Sequence, residues 1–313
     1  MLEALAIVLE QPGQLALSRL PLDSPAPDDV IVETRWSGIS TGTERLLYRG
    51  RMPDFPGMGY PLVPGYETVG EVVEAGSDSG YRDGQRVFAP GATCYGAVRG
   101  LFGGAASHLV VKGSRIAAIP DELGDKGVLL ALAATAQHAR GAIAPHGGEL
   151  IVGHGVLGRL FARLSVAAGG APTVWELNPQ RAEGAQDYLV TTPEQDERRD
   201  YRAIYDVSGD PAILDSLIAR LAPGGEIVLA GFYERPLSFA FPPAFMREAR
   251  LRIAAQWRPD DLAHVIRLAE GGKLSLEGLI THRRPALQVQ DAYPIAFDDP
   301  RCLKMVLDWS AAT

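Results

Sequence analysis

Glu149-Leu150-Ile151-Val152-Gly153-His154-Gly155-Val156-Leu157-Gly158 is a short apolar strand that runs straight into a G-x-G-x-x-G spacing. The residues beyond it place apolar side chains at 157, 160, 161, 164 and 168, one face of a helix that stops at Gly169-Gly170. The first glycine permits the tight turn, the second lets the backbone approach a pyrophosphate, and the third allows the helix to pack closely on the strand. The N–H groups at the helix start then face the anion. Glu176, 23 residues after Gly153, is the acid that such a site aims at the adenosine ribose. Its charge repels a 2′-phosphate, which favours NAD over NADP, while Arg181 softens that exclusion. The expected dinucleotide contacts are Gly153, His154, Gly155, Val156, Leu157 and Gly158, followed by Glu176, Asn178 and Arg181. At His154 the backbone is expected to contribute more than the ring. Ser208 and Gly231 end two further strands, on the side of the sheet where ligands collect.

Outward from this motif, strands alternate with helices: Thr173–Leu177, Asp187–Val190, Ala203–Val207, Glu226–Ala230 and Leu251–Ala255. That alternation predicts a doubly wound parallel sheet in an α/β fold, over residues 121–274 and led in by a helical stretch, Asp121–Ala142. Thr191–Asp200 reads as a solvated loop. Residues 1–120 are turn-rich with short β segments (Val30–Val32, Val69–Val73, Arg86–Phe88, His108–Val111), an antiparallel β-domain that the tail 275–313 completes.

With 313 residues, two domains are expected, and 46% apolar against 22% charged side chains is the balance of a globular protein. Thirty-eight acidic against 30 basic residues argue against a nucleic-acid partner. Cys94 and Cys302 are too few for a disulfide scaffold or a four-cysteine zinc lobe. The first residues, interrupted by Glu3 and Glu10, lack the look of an export signal, and no apolar run approaches the ~20 residues of a membrane span. These features predict a cytoplasmic protein, with peripheral membrane contact left open.

The order of domains, together with WSGISTGTERLLYRGRMPDFPGMGYPLVPGYETVG (residues 36–70), GLFGGAASHLVV (100–111) and LIVGHGVLGRL (150–160), resembles the medium-chain dehydrogenase/reductase family along essentially the whole chain. The resemblance implies a GroES-like β-rich catalytic domain, a Rossmann domain and a cleft between them. The motifs are similar to the branch that oxidises the ring-A 3-(1-hydroxyethyl) group of a (bacterio)chlorophyllide to acetyl with NAD+, which implies a tetrapyrrole substrate. Zinc-dependent members carry three ligands where this chain has Ser40, Tyr66 and Ala131, and only Glu67 of the Gly-His-Glu trio remains. Catalytic zinc takes about three protein ligands, so no metal is expected.

A secondary alcohol then needs an organic general base. His138 shares a helix face with Thr135 and Ala131, the face that bears the third ligand in zinc-dependent relatives. Tyr66 with Glu67 is a second candidate pair, and Thr43 with Glu44 a third, matching the family's proton relay apart from one extra residue. Alternatively, Glu44 and Glu67 form buried ion pairs with Arg45 or Arg86. The remaining histidines, His108, His146, His264 and His282, read as structural or exposed. Phe55, Met58, Tyr60 and Phe102 suit a wall for a flat apolar ring, and Arg45, Arg49 or Arg51 suits its carboxylate. By analogy, Glu226–Ala230 and its successor strand pair across a twofold axis in a homodimer. Two other functions compete: a zinc-free quinone or enone reductase using NADPH, which Glu176 disfavours, and a nucleotide-binding pigment carrier without catalysis.

Overall fold

The computed structural model describes residues 2–54, 56–141 and 148–312, so Phe55 and His146 lie outside the described residues. In chain order the elements are β1 (Glu3–Gln11), β2 (Gln14–Pro21), β3 (Asp29–Ile39), α1 (Thr43–Tyr48), β4 (Leu62–Val63), β5 (Thr68–Ala75), β6 (Arg86–Ala89), β7 (Arg99–Gly100), β8 (His108–Lys112), β9 (Ala117–Ala118) and α2 (Leu130–Arg140). There follow β10 (Glu149–Val152), α3 (Val156–Ala167), β11 (Thr173–Trp175), α4 (Pro179–Ala182), β12 (Leu189–Thr191), β13 (Tyr201–Asp206), α5 (Leu214–Arg220), β14 (Leu221–Leu229), α6 (Phe241–Met246), β15 (Arg250–Ile253) and α7 (Pro259–Glu270). The chain closes with β16 (His282–Pro285), α8 (Val289–Asp298) and β17 (Met305–Asp308).

Two units result, Met1–Ala131 with Leu279–Thr313, and Leu132–Gly278. The first holds a sheet ordered β2-β1-β4-β7 and a second ordered β16-β17-β3-β5-β6-β9, with β8 also paired to β3. The second holds a parallel sheet ordered β12-β11-β10-β13-β14-β15, the doubly wound order with the strand before the glycine turn at its centre.

The boundary falls after Ala131 rather than Pro120 because Asp121–Leu129 is not part of a continuous helix. It is 3₁₀, broken at Gly124 with φ 51°, and it packs on β3, β5 and β6 of the first unit. Gly127 lies so close to Val69 and Ile119 that a Cβ would meet their side chains at 2.7 and 2.9 Å. The C-terminal return is locked by β17, antiparallel to β3, and by the fully buried Trp309, whose Nε1 donates to Ser37 Oγ at 2.8 Å.

Thr191–Asp200 departs from a simply solvated loop. Asp196 is buried, and its Oδ2 accepts from Trp175 Nε1 at 2.7 Å and Tyr201 Oη at 2.8 Å, so it caps two aromatic donors that the core would otherwise leave unpaired. Asp196→Ala is expected to lower stability by about 2–4 kcal/mol in urea denaturation, with two buried donors left without an acceptor. The exposed neighbours Glu194 and Glu197, changed to Ala, are expected to move it by no more than about 0.5 kcal/mol.

Candidate active site and coenzyme site

β3 ends at Ile39 and delivers Ser40, three residues later α1 opens with Thr43-Glu44, and Tyr66-Glu67 lead into β5. These five residues gather in the first unit. Ser40 Oγ and Tyr66 Oη share a hydrogen bond of 2.8 Å, and Thr43 also bonds the phenol. The Phe102 ring stands edge-on to Tyr66, centroids 5.3 Å apart at 82°. Burial and the neighbouring Glu67 raise the Tyr66 phenol far above its ordinary range, so it stays protonated and serves as a donor.

Glu67 is fully buried, and both its oxygens accept from Lys304 Nζ, at 2.9 and 2.7 Å; the same ammonium donates to Ile39 O at 3.1 Å. The partner is therefore neither Arg45 nor Arg86. Arg45 is exposed, while Arg86 pairs with Asp121 at 3.3 Å and covers Trp36. Lys304 reaches Glu67 because it precedes β17, which enters the sheet beside β3. Gly38 makes room: a Cβ there would collide with Glu67 Oε2.

Glu44 is also buried but has no ion-pair partner at hydrogen-bond distance among the described residues. Its Oε1 accepts from the Ser40 amide at 2.9 Å and its Oε2 from Tyr293 Oη at 2.6 Å. Burial raises its pKa, the two donors pull it back in part, and the outcome is about 7.

Zinc does not fit this donor set. Ser40 and Tyr66 present neutral hydroxyls in place of a thiolate and an imidazole, both Glu67 oxygens are held by Lys304, and the Ala131 side chain has no ligand atom. Among the described residues no cluster of three His, Cys, Asp or Glu side chains stands ready for a metal.

In the second unit the glycine turn has the form its spacing demands. Gly153 adopts φ 106°, and a Cβ on Gly158 would collide with Gly153 O. A Cβ on Gly155 would meet nothing within 4 Å, so that face of the turn is open. Val156 and Leu157 begin α3. Glu176 lies beside the turn: Oε2 accepts from the His154 amide at 3.0 Å and Oε1 from the Asn178 amide at 2.8 Å. Asn178 caps α4 through the Gln180 amide at 3.0 Å. Ser208 is held by Asp206, which receives its amide at 2.9 Å and its hydroxyl at 2.7 Å, and the Gly231 amide donates to Asp206 O at 3.1 Å. Tyr233 Oη completes this knot on the buried Asp206, at 2.7 Å from Oδ2. The His154 ring is fully buried, in contrast to its expected backbone role, and Arg159 and Arg163 are buried with it on a helix read only for its apolar stripe. Two arginines one turn apart inside an otherwise apolar segment were the available signal.

His138 belongs to the second unit, where its Nδ1 lies 2.9 Å from Asp261 Oδ2. Met58 and Tyr60 pack against the core of the first unit, with Tyr60 Oη donating to Leu47 O at 2.6 Å. Arg49 pairs with Asp298.

The alcohol dehydrogenase GroES-like domain family matches residues 26–121. The chain is 57% identical over 312 residues to the 2-desacetyl-2-hydroxyethyl bacteriochlorophyllide A dehydrogenase of Cereibacter sphaeroides, covering 98% of both chains. It is 56% identical to the enzyme of the same name from Rhodobacter capsulatus, covering 99% of this chain and 100% of that one. A solved short chain alcohol dehydrogenase of E. coli complexed with NADH superimposes with a TM-score of 0.83 at 22% identity, over 98% of this chain and 99% of that one.

Glu44 ties stability to pH. In the folded protein it keeps its proton up to about pH 7, whereas the unfolded chain releases it from about 4.5. The stabilisation is fully present below pH 4.5 and is lost as pH rises to 7, a span worth about 3 kcal/mol. Glu44→Gln keeps an acceptor without a titrating proton, so denaturation measured from pH 5 to 8 is expected to show this slope in the wild type and a flattened one in the variant.

Proposed function

The chain belongs to the medium-chain dehydrogenase/reductase family as an oxidoreductase of the alcohol dehydrogenase type, and on that premise we propose that it oxidises the ring-A 3-(1-hydroxyethyl) group of a (bacterio)chlorophyllide to acetyl with NAD+. The observation that carries this reading is the full-length identity to two enzymes named for that group, joined to a buried carboxyl with a pKa near 7 at the first unit's polar cluster. Bound NAD+ supplies the hydride acceptor. Gly153, Gly155 and Gly158 shape the turn for its pyrophosphate, Glu176 meets the adenosine ribose, and Ser208 and Gly231 border the nicotinamide side. The carboxylate of Glu176 supports NAD over NADP by like-charge repulsion.

For the alcohol, the reaction removes a hydride from carbon and a proton from oxygen. Tyr66 Oη and Ser40 Oγ, hydroxyls already bonded to each other, hold the substrate oxygen. Thr43 steadies the phenol. Tyr66 is too weak an acid to act as a free base, Glu67 is committed to Lys304, and His138 to Asp261. The proton comes to rest on Glu44, whose pKa is matched to neutral operation. Phe102, edge-on to Tyr66, offers the pigment ring an aromatic wall beside the reacting oxygen, with Met58 and Tyr60 as further wall.

No helix among the described residues is long and apolar enough to cross a membrane, and both cysteines are free, which supports a cytoplasmic setting. β15 ends the parallel sheet with Leu251 and Ile253 at 37% and 69% exposure, which supports pairing with a second copy along that edge.

Mixing the protein with NAD+ and 3-(1-hydroxyethyl) bacteriochlorophyllide a is expected to give NADH together with the acetyl pigment band, and NADP+ is expected to be on the order of 100-fold less efficient. Turnover with neither coenzyme contradicts the reading. Glu44→Gln is expected to lower kcat by about 10²- to 10⁴-fold and to abolish the rise in kcat through pH 7; a variant with wild-type kcat removes Glu44 as the proton acceptor.

A further inference from the structure

Between the two outer glycines of the coenzyme turn lies a histidine whose ring is 0% exposed. Its Nδ1 is 2.6 Å from Arg181 O, a carbonyl that only accepts, so Nδ1 bears the hydrogen. Nε2 is then the lone-pair nitrogen and accepts from Tyr188 Oη at 2.8 Å, with the phenol ring edge-on at 5.5 Å. Arg159 works on the same segment. Its Nε donates to His154 O at 3.1 Å, Nη2 to Arg181 O at 3.0 Å and Glu183 O at 2.7 Å, and Nη1 to Gly184 O at 3.3 Å.

These bonds matter because the segment cannot hold itself. α4 is four residues long and buries none of its side chains, far below the length at which a helix is stable alone. What fixes it is the histidine and the arginine beneath it. The same His154 donates its amide to Glu176 Oε2, and Asn178, at the start of the segment, donates to Glu176 Oε1. The acid is thus gripped at both oxygens by the two pieces that the imidazole ties together. Burial and the charge of Arg159 lower the ring's pKa to about 4, so the neutral tautomer persists across the physiological range.

We propose that His154 is a positioning residue for the coenzyme: its ring clamps residues 178–184 onto the glycine turn and so aims the Glu176 carboxylate at the adenosine ribose. The inference rests on reading this turn as the NAD site.

The test is NADH titration followed by nucleotide fluorescence, with steady-state kinetics in NAD+, on the wild type, His154→Ala, His154→Asn, Tyr188→Phe and Arg163→Lys. His154→Ala is expected to weaken NADH binding by about 10- to 100-fold, acting on the KM for NAD+ far more than on kcat, and to narrow the preference for NADH over NADPH. His154→Asn returns a donor near the Nδ1 position and is expected to recover part of the loss. A folded His154→Ala that binds NADH as tightly as the wild type overturns the proposal. Should that variant not fold, Tyr188→Phe decides, since it keeps the ring and removes the hydroxyl that Nε2 shares with Arg163, with Arg163→Lys as the control for the second bond: several-fold weaker binding in Tyr188→Phe alone supports the clamp, and unchanged binding overturns it. A wild type that binds no NADH overturns the coenzyme reading itself, and the proposal with it.

Discussion

Glu67 and Lys304 are 0% and 1% exposed, where a single unpaired charge would cost several kcal/mol. Each is tolerable because the other is there, and the pairing is complete: two ammonium hydrogens meet the two carboxylate oxygens and the third meets the carbonyl of Ile39. The pair ties three distant pieces of chain together, the end of β3, the entry to β5 and the residue before β17. It thereby fixes Ser40 and Tyr66, the immediate neighbours of Ile39 and Glu67. A cationic ammonium held by the chain itself also offsets the negative charge that the cluster would otherwise carry.

Around that pair two carboxyls with similar burial behave differently. Glu67 has a full cation and is a structural ion. Among the described residues Glu44 has only an amide and a phenol for partners, so its charge is incompletely compensated and its pKa rises to about 7. Burial raises both carboxyls above their ordinary range, and the Lys304 ammonium pulls Glu67 back. Ser40 and Tyr66, bonded to each other, lie beside both carboxyls, Ser40 through its amide on Glu44 and Tyr66 as the neighbour of Glu67 in the chain.

The strand–glycine-turn–helix unit was legible in the sequence because every part of it is local: strand, three glycines and helix occupy consecutive residues, and the acid follows directly after the next strand. Ser40, Thr43, Glu44, Tyr66 and Glu67 were legible through the resemblance to zinc-dependent relatives, and the structure brings them together. Lys304 was not, since nothing in a lysine 237 positions from its partner marks it as buried; only the pairing of β17 with β3 reveals it. Asp196 looked like one charge in a hydrophilic run, and its burial follows from two aromatic donors that approach from Trp175 and Tyr201. The burial and partners of the His154 ring were not legible because the motif specifies the backbone there and is silent about the side chain. The end of the first unit was set too early because Asp121–Leu129 has helical composition, while Gly124 turns it into a 3₁₀ segment packed on the β-domain.

The claim on which these parts converge is that side chains alone bring the alcohol's proton out of a site whose donors do not suit zinc. The direct measurement is turnover of protein dialysed exhaustively against a strong chelator, with bound transition metal quantified in the same sample. Full kcat with less than stoichiometric metal, unchanged when zinc is added back, is the predicted result. Activity that falls in proportion to the metal removed and returns on refilling with zinc would contradict it.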